Sequence, residues 1–385
     1  MWMKKSKNNK GISLIGIILS MLMLILVVFL VYEIFYIDVF DINWQENKNP
    51  IESISEAIEN FTSDRASIIQ NNNDSNIEKI EPLINENSNN YAKEISTNHY
   101  YYNQLDEYAK IIYDGIESNI DNMKSGTYKI DFGTKFNTLV NQSDGEHKLN
   151  IAFQSAWNAF TYDYPEVFYI DVSKLILTTR TTSIGSFSTH KVSLSNDSYE
   201  NYFTENISSR EDILAKERYL ESAKQKIIES LNGYSKYDQI KYIHNWLIDN
   251  LKYDTTYKKE DIHNVYGALA KREVVCEGYA RTLKYLLDGL EIENVLVSGT
   301  ATNSNNSTES HAWNYVKLND KWYAIDVTWD DPIIKGGGLL SDKLRYQYFL
   351  KGADNFLKNH NEDGYLSQNS MKFEFPKLDN KDYNK

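Results

Sequence analysis

Two alternating runs, His311–Leu318 and Lys321–Val327, meet at the dipeptide Asn319-Asp320. A two-residue Asn-Asp connection reads as a hairpin turn, and a turn of that length fixes the register of its strands. Leu318 then opposes Lys321, Val316 opposes Tyr323, Trp313 opposes Asp326 and His311 opposes Thr328. Directly opposed residues share a face of the sheet, as do alternate residues along one strand. His311 and Asp326 are therefore diagonal neighbours on one face, roughly 7–8 Å apart at the backbone, within reach of an imidazole-to-carboxylate hydrogen bond. A slip of one residue would send them to opposite faces.

The only cysteine, in Val275-Cys276-Glu-Gly-Tyr-Ala, heads a stretch with Ala280, Leu283, Leu286 and Leu287 at helical spacing. The pattern predicts a helix that starts at Cys276 and ends near Gly289. The partial positive charge of a helix N-terminus favours a thiolate over a thiol. The amides there can also face a developing oxyanion. A lone thiol followed by an imidazole and a carboxylate has the composition of a nucleophile, base and orienter, here Cys276, His311 and Asp326. The competing readings are a packing cysteine, a polar histidine where loop meets strand, and a solvated strand carboxylate. Ala324, Ile325 and Val327 around Asp326 argue for burial of that carboxylate. The other histidines, His99, His147, His190, His244, His263 and His360, read as ordinary polar residues. No two histidines have metal-ligand spacing and one cysteine cannot build a zinc site, so neither a metal nor a cofactor is expected. Trp246, Trp313, Tyr266 and Tyr279 read as core aromatics, any of which could also line the cleft of the thiol.

Gly11 through Tyr32 contains no charged residue, with Lys4, Lys5, Lys7 and Lys10 before it and Glu33, Asp38 and Asp41 after it. About 20 apolar residues suffice to cross a bilayer as a helix. The flanking lysines place the N-terminus inside and the remainder outside. A cleaved signal peptide is the alternative, but the run is long for one and no small-x-small site follows. The expected place is thus the cell membrane, single-pass, with an extracytoplasmic C-terminal part. Outside the cytoplasm cysteines usually pair, and a single one cannot pair within the chain. The formal net charge of -13 excludes a nucleic-acid partner, which requires a basic face.

The 385 residues divide by texture. Residues 1–10 are a basic cytoplasmic N-terminus and 11–32 the transmembrane anchor. Residues 33–98, rich in Asn, Ser and Glu with scattered apolar positions, form a polar stalk. Residues 99–210 read as an accessory α+β module. Its predicted elements are helices around Leu105–Ile116 and Ala152–Phe160, a strand after Pro165, and a hairpin of Lys174–Thr182 with Phe187–Leu194. Residues 211–375 form the main domain, with helices over Arg210–Leu231, Tyr237–Leu251 and His263–Ala270, then the Cys276 helix. A strand over Asn294–Thr300 and a polar loop over Asn303–Ser310, a candidate flap, lead to the hairpin. Residues 376–385 read as a frayed polar tail.

Val275-Cys276-Glu-Gly-Tyr-Ala, His311-Ala-Trp-Asn and Tyr323-Ala-Ile-Asp326-Val-Thr-Trp-Asp-Asp-Pro together resemble the transglutaminase-like core of the papain-type thiol-enzyme superfamily. The helix from Tyr237 to Leu251 resembles the one that commonly precedes that core. The resemblance spans roughly residues 216–335 and is similar to bacterial membrane-anchored members. It implies an α+β fold, with a transglutaminase-like or papain-like core in which the cysteine sits at a helix N-terminus packed on an antiparallel sheet. It also implies Cys276 as nucleophile, His311 as base and Asp326 as orienter. The activity it implies is acyl transfer on amide or peptide bonds through a thioester, with a protein or peptide of the cell surface as substrate. A cysteine protease or deamidase using the same residues, and a non-catalytic binding or scaffold module, are the alternatives.

Overall fold

The computed structural model describes residues 99–196, 199–332 and 340–385. The run 11–32 and the segment 33–98, expected as anchor and stalk, lie outside the described residues. Among the described residues no helix is long and apolar enough to cross a membrane.

The first described elements build a helix pair and a small sheet. Helix α1 (Glu107–Glu117) buries Ala109, Ile112, Tyr113 and Ile116 at three- and four-residue spacing, and the Asp106 carboxylate accepts from the Ala109 amide to cap it. It packs on α2 (Gly145–Asp163). Strands β1 (Ile130–Gly133), β2 (Ile176–Ile184) and β3 (Phe187–Ser195) form an antiparallel sheet in the order β1-β3-β2. The strand expected after Pro165 does not form. That segment makes one isolated bridge, Ile170 with Phe203, because Tyr169 and Phe168 are drawn inward as core side chains.

Two capped helices follow. In α3 (Arg210–Glu229) and α4 (Lys236–Asn250) the hydroxyls of Ser209 and Ser235 accept from the Asp212 and Asp238 amides. The helix expected over His263–Ala270 is instead a π-helical turn at Gly267–Lys271. Short parallel strands β4 (Lys252–Tyr253) and β5 (Glu273–Val274) lead into α5 (Cys276–Asp288), which starts at the cysteine as expected.

Helix α5 lies on a four-stranded antiparallel sheet. Its strands are β6 (Asn294–Thr302), β7 (Thr308–Leu318), β8 (Lys321–Ile325) and β9 (His360–Glu362), in the order β8-β7-β6-β9. The β7–β8 register is the one the Asn-Asp turn dictates, from Leu318 opposite Lys321 to Asn314 opposite Ile325. Asn319 and Asp320 adopt φ of 51° and 59°, the left-handed pair a type I′ turn needs. Pairing stops at Ile325 because Asp326 leaves the ladder to cap the helical turn Val327–Asp330. The polar loop before His311 is shorter than expected, since Thr302 pairs with Thr308 and β7 starts there.

The expected boundary near residue 210 falls inside one compact unit, Ile95–Lys385. The Tyr101 hydroxyl donates to the Leu296 carbonyl of β6, and Arg281 Nη1 donates to the Thr161 carbonyl at 2.6 Å. The C-terminal tail is not frayed. Leu378 is buried and bridges to Trp322, Tyr383 stacks on Tyr237, and Asp382 accepts from Lys351 and from the Gly352 amide. Polar composition suggested solvation there, but Asp379, Asp382 and Lys385 find ion-pair partners and Leu378 and Tyr383 pack on aromatic or buried neighbours.

Candidate active site

Cys276 occupies the first position of α5, after an extended Val275 that contributes no capping side chain. The amides of that first turn are the ones a helix leaves without internal partners. Gly278 lets the turn sit close to its support. A Cβ there would fall 2.5 Å from Val274 Cβ and 2.7 Å from the Ile262 carbonyl oxygen. On the other side, Asn314 Nδ2 of β7 donates to the Ala280 carbonyl at 3.0 Å, a buried bond that ties helix to strand. Cys276 itself is half-buried.

His311 and Asp326 come together as the hairpin register requires. His311 Nε2 lies 2.8 Å from Asp326 Oδ2, with the imidazole 2% exposed and the carboxylate fully buried. The Cys276 thiol lies near enough to the imidazole to favour its charged form. The structure thus brings the three side chains predicted from sequence, thiol, imidazole and carboxylate, into one site.

Burial alone would lower the pKa of the imidazole. The Asp326 charge and hydrogen bond, joined by Cys276, outweigh it and push His311 up to about 10. Burial would equally raise Asp326, yet His311 and a second imidazole hold this carboxyl well below the usual carboxylate range. The pair therefore stays charged across the neutral range.

The second imidazole belongs to His360, read from sequence as an ordinary polar residue. Its Nε2 lies 3.1 Å from the same Asp326 Oδ2, and the ring is buried. Asp326 Oδ1 accepts the Trp329 amide at 3.1 Å. Histidine spacing gave no sign of this arrangement, because His360 sits on a three-residue strand far along the chain and reaches the site only through the pairing of β9 with β6. His311, Asp326 and His360 bring one ligand-type atom each within 4.8 Å of one another, a grouping that could hold a metal ion. Their separations are those of N–H···O hydrogen bonds to an ionised carboxylate, which already uses both Nε2 atoms, and we assign no metal.

A second buried pair adjoins the first. His244 Nε2 lies 3.0 Å from Asp330 Oδ2, both fully buried. Burial raises Asp330 to about 9 and lowers His244 to about 4. At neutral pH this contact is a protonated acid donating to a neutral imidazole rather than an ion pair. Asp330 Oδ1 accepts the Tyr348 amide at 2.7 Å, which secures the turn that Asp326 caps.

The mouth of the site draws on the segment expected as a separate module. Tyr162, at the end of α2, packs with Cys276 on a small apolar patch of Ala280, Leu296 and Ala312. The Arg281 guanidinium lies 5.4 Å from the centre of its ring. Arg281 and His263 hold the neighbouring Glu277 ionised, drawing it down to about 2 against the effect of burial. Of the four aromatics named from sequence, Trp313 and Tyr279 are buried, with the Tyr279 hydroxyl donating to Asp331 at 2.7 Å. Trp246 and Tyr266 are half-buried core packing.

Residues 224–327 match the core of the Transglutaminase-like superfamily. The chain carries a transglutaminase-like domain. The matched stretch runs from within α3 past Asp326 and so contains Cys276, His311 and Asp326, while His360 and Tyr162 lie outside it. Among solved structures, a TGase crystal structure is similar at 16% identity, with a TM-score of 0.28, over 46% of this chain and 50% of that one. The periplasmic domain of TgpA from Pseudomonas aeruginosa, bound to ethylmercury, is similar at 14% identity and TM-score 0.24, over 40% of this chain and 65% of that one. An arylamine N-acetyltransferase from Bacillus cereus, described with a Cys-His-Glu catalytic triad, is similar at 16% identity and TM-score 0.20, over 29% and 49%. The chain thus spans about half the length of the first of these structures. No curated protein matches.

Proposed function

We propose that the transglutaminase-like domain is a thiol enzyme transferring acyl groups from amide or peptide bonds, with Cys276 as nucleophile, His311 as acid and base, and Asp326 as orienter. One observation carries the reading. A half-buried thiol at an uncapped helix N-terminus adjoins, and interacts electrostatically with, an imidazole whose Nε2 is 2.8 Å from a fully buried, ionised carboxylate.

The thiolate sulfur attacks the amide carbonyl carbon, and the first-turn amides face the oxyanion that forms. The carbon–nitrogen bond then breaks, and the His311 imidazolium gives its proton to the departing nitrogen. A thioester on Cys276 remains. An incoming amine, or water, loses a proton to His311 and attacks the thioester, which restores the thiolate. Asp326 keeps its charge throughout and holds the Nε2–H tautomer of His311. With an amine the outcome is cross-linking, and with water it is proteolysis or deamidation. The uncharged run Gly11–Tyr32 with its lysine flank supports a single-pass membrane protein acting on cell-surface proteins or wall peptides.

The test offers the full chain a glutamine-rich unfolded protein together with a fluorescent primary amine. Mass spectrometry then reads amine incorporation, deamidation and cleavage in parallel for wild type and Cys276→Ala. The reading requires at least one product that depends on Cys276. Absence of all three would contradict it.

A further inference from the structure

Asp326 is the one carboxylate in the site held by two histidines through a single oxygen, with His311 Nε2 at 2.8 Å and His360 Nε2 at 3.1 Å from Oδ2. Because Asp326 is ionised, both nitrogens carry their protons and donate. The His360 ring is locked by aromatic packing: stacked on Phe356 with centroids 4.0 Å apart, edge-on to Trp313 at 5.1 Å, and against Trp329 at 4.7 Å and Tyr348 at 5.3 Å. An apolar ring would fill such a box as well as an imidazole does. What the imidazole adds is an Nδ1 contact with Asn359 Oδ1 at 3.0 Å and, through Nε2, a donor aimed at the carboxylate that aligns the base. His360 lies outside the superfamily match.

We propose that His360 is a positioning residue of the reaction, whose Nε2–H fixes Asp326 Oδ2 at the point from which it orients His311 toward Cys276. The proposal rests on the thiol-enzyme reading above. A carboxylate that is 0% exposed has no water to satisfy an oxygen that loses a donor. Without His360, Oδ2 keeps only His311 as a donor and Oδ1 keeps the Trp329 amide, so one of the three hydrogen bonds that fix the plane of the carboxylate is lost. The imidazole then loses its fixed direction toward the thiol. Positioning of this kind is read in the reactivity of the thiol as well as in stability.

The experiment measures the rate of Cys276 alkylation by iodoacetamide from pH 5.5 to 9 on the full chain, with thermal melting beside it. His360→Phe keeps a ring in the aromatic box and removes the donor, while His360→Gln restores an N–H at similar reach. His360→Leu replaces the Phe variant if that one does not fold. We expect the donor-free variant to react about tenfold or more slowly near pH 6, the loss of one charge-assisted hydrogen bond, and His360→Gln to lie within about threefold of wild type. A donor-free variant within twofold of wild type at every pH overturns the proposal. So does equal slowing of both variants in step with their melting temperatures. If instead the wild-type thiol reacts only above about pH 8, as an unperturbed thiol does, the thiol-enzyme reading itself fails, which is a separate outcome.

Discussion

Replacing Asp326 by Asn tests the electrostatics of the site while keeping its shape. The amide retains an oxygen to accept the His311 Nε2–H and loses the charge. In the wild type His311 rises from its ordinary 6.5 to about 10, a difference of about 3.5 pH units. At about 1.4 kcal/mol per unit, that is roughly 5 kcal/mol in favour of the imidazolium. Burial opposes this shift, and the Asp326 charge is its largest support. With the charge removed, burial dominates and the imidazole should titrate below 6.5. The sign for stability follows from linkage. A histidine with a raised folded value contributes fully below its unfolded value of 6.5 and loses that contribution as pH rises through 10. Asp326→Asn should therefore destabilise the protein most in the acidic to neutral range. Selective 15N-histidine labelling and NMR titration read the charge directly. We expect His311 to be charged at pH 8 in the wild type and neutral at pH 8 in the variant. A neutral His311 at pH 8 in the wild type, or a charged one in Asp326→Asn, would refute the electrostatic account.

Two further outcomes follow from packing and burial. Gly278→Ala places a methyl group 2.5 Å from Val274 Cβ, so the first turn of α5 must move at a cost of about 1–3 kcal/mol; differential scanning calorimetry should show a lower melting temperature and alkylation of Cys276 should slow, whereas an unchanged protein would show that the turn has slack. Asp330→Asn imitates the protonated acid that burial favours up to about 9, and an Asn there can still donate to His244 and accept from the Tyr348 amide. The wild-type carboxyl costs stability increasingly as pH rises from about 4 toward 9. Between pH 7 and 9, where His244 is neutral in folded and unfolded chains alike, denaturant melts should therefore show the variant gaining on wild type; parallel curves would remove the protonated acid from the account.

The parts of the site that were legible in the sequence are those encoded by local pattern. The Asn319-Asp320 turn and the alternation on both sides of it determined the register, and the register determined the meeting of His311 with Asp326. The apolar spacing after Cys276 located the start of α5. What escaped is encoded by pairings distant along the chain. His360 arrives through β9, a strand too short to show alternation, paired to β6. Tyr162 arrives because α2 packs on the core, and nothing in the texture of residues 99–210 announces a shared unit. Asp326 itself was expected on a strand and instead caps a turn, a choice made by its short acceptor side chain. The tail was expected to fray because it is polar, yet Leu378 and Tyr383 bind it through contacts no window of sequence contains.

The central claim is that His311 activates Cys276. The most direct measurement compares iodoacetamide alkylation of Cys276 at pH 6 in wild type and in His311→Ala, by mass spectrometry on the intact chain. The account predicts rapid labelling of the wild type and a drop of about a hundredfold in the variant, the order of effect expected when a thiolate loses the imidazolium that stabilises it. Equal rates at pH 6 would contradict it.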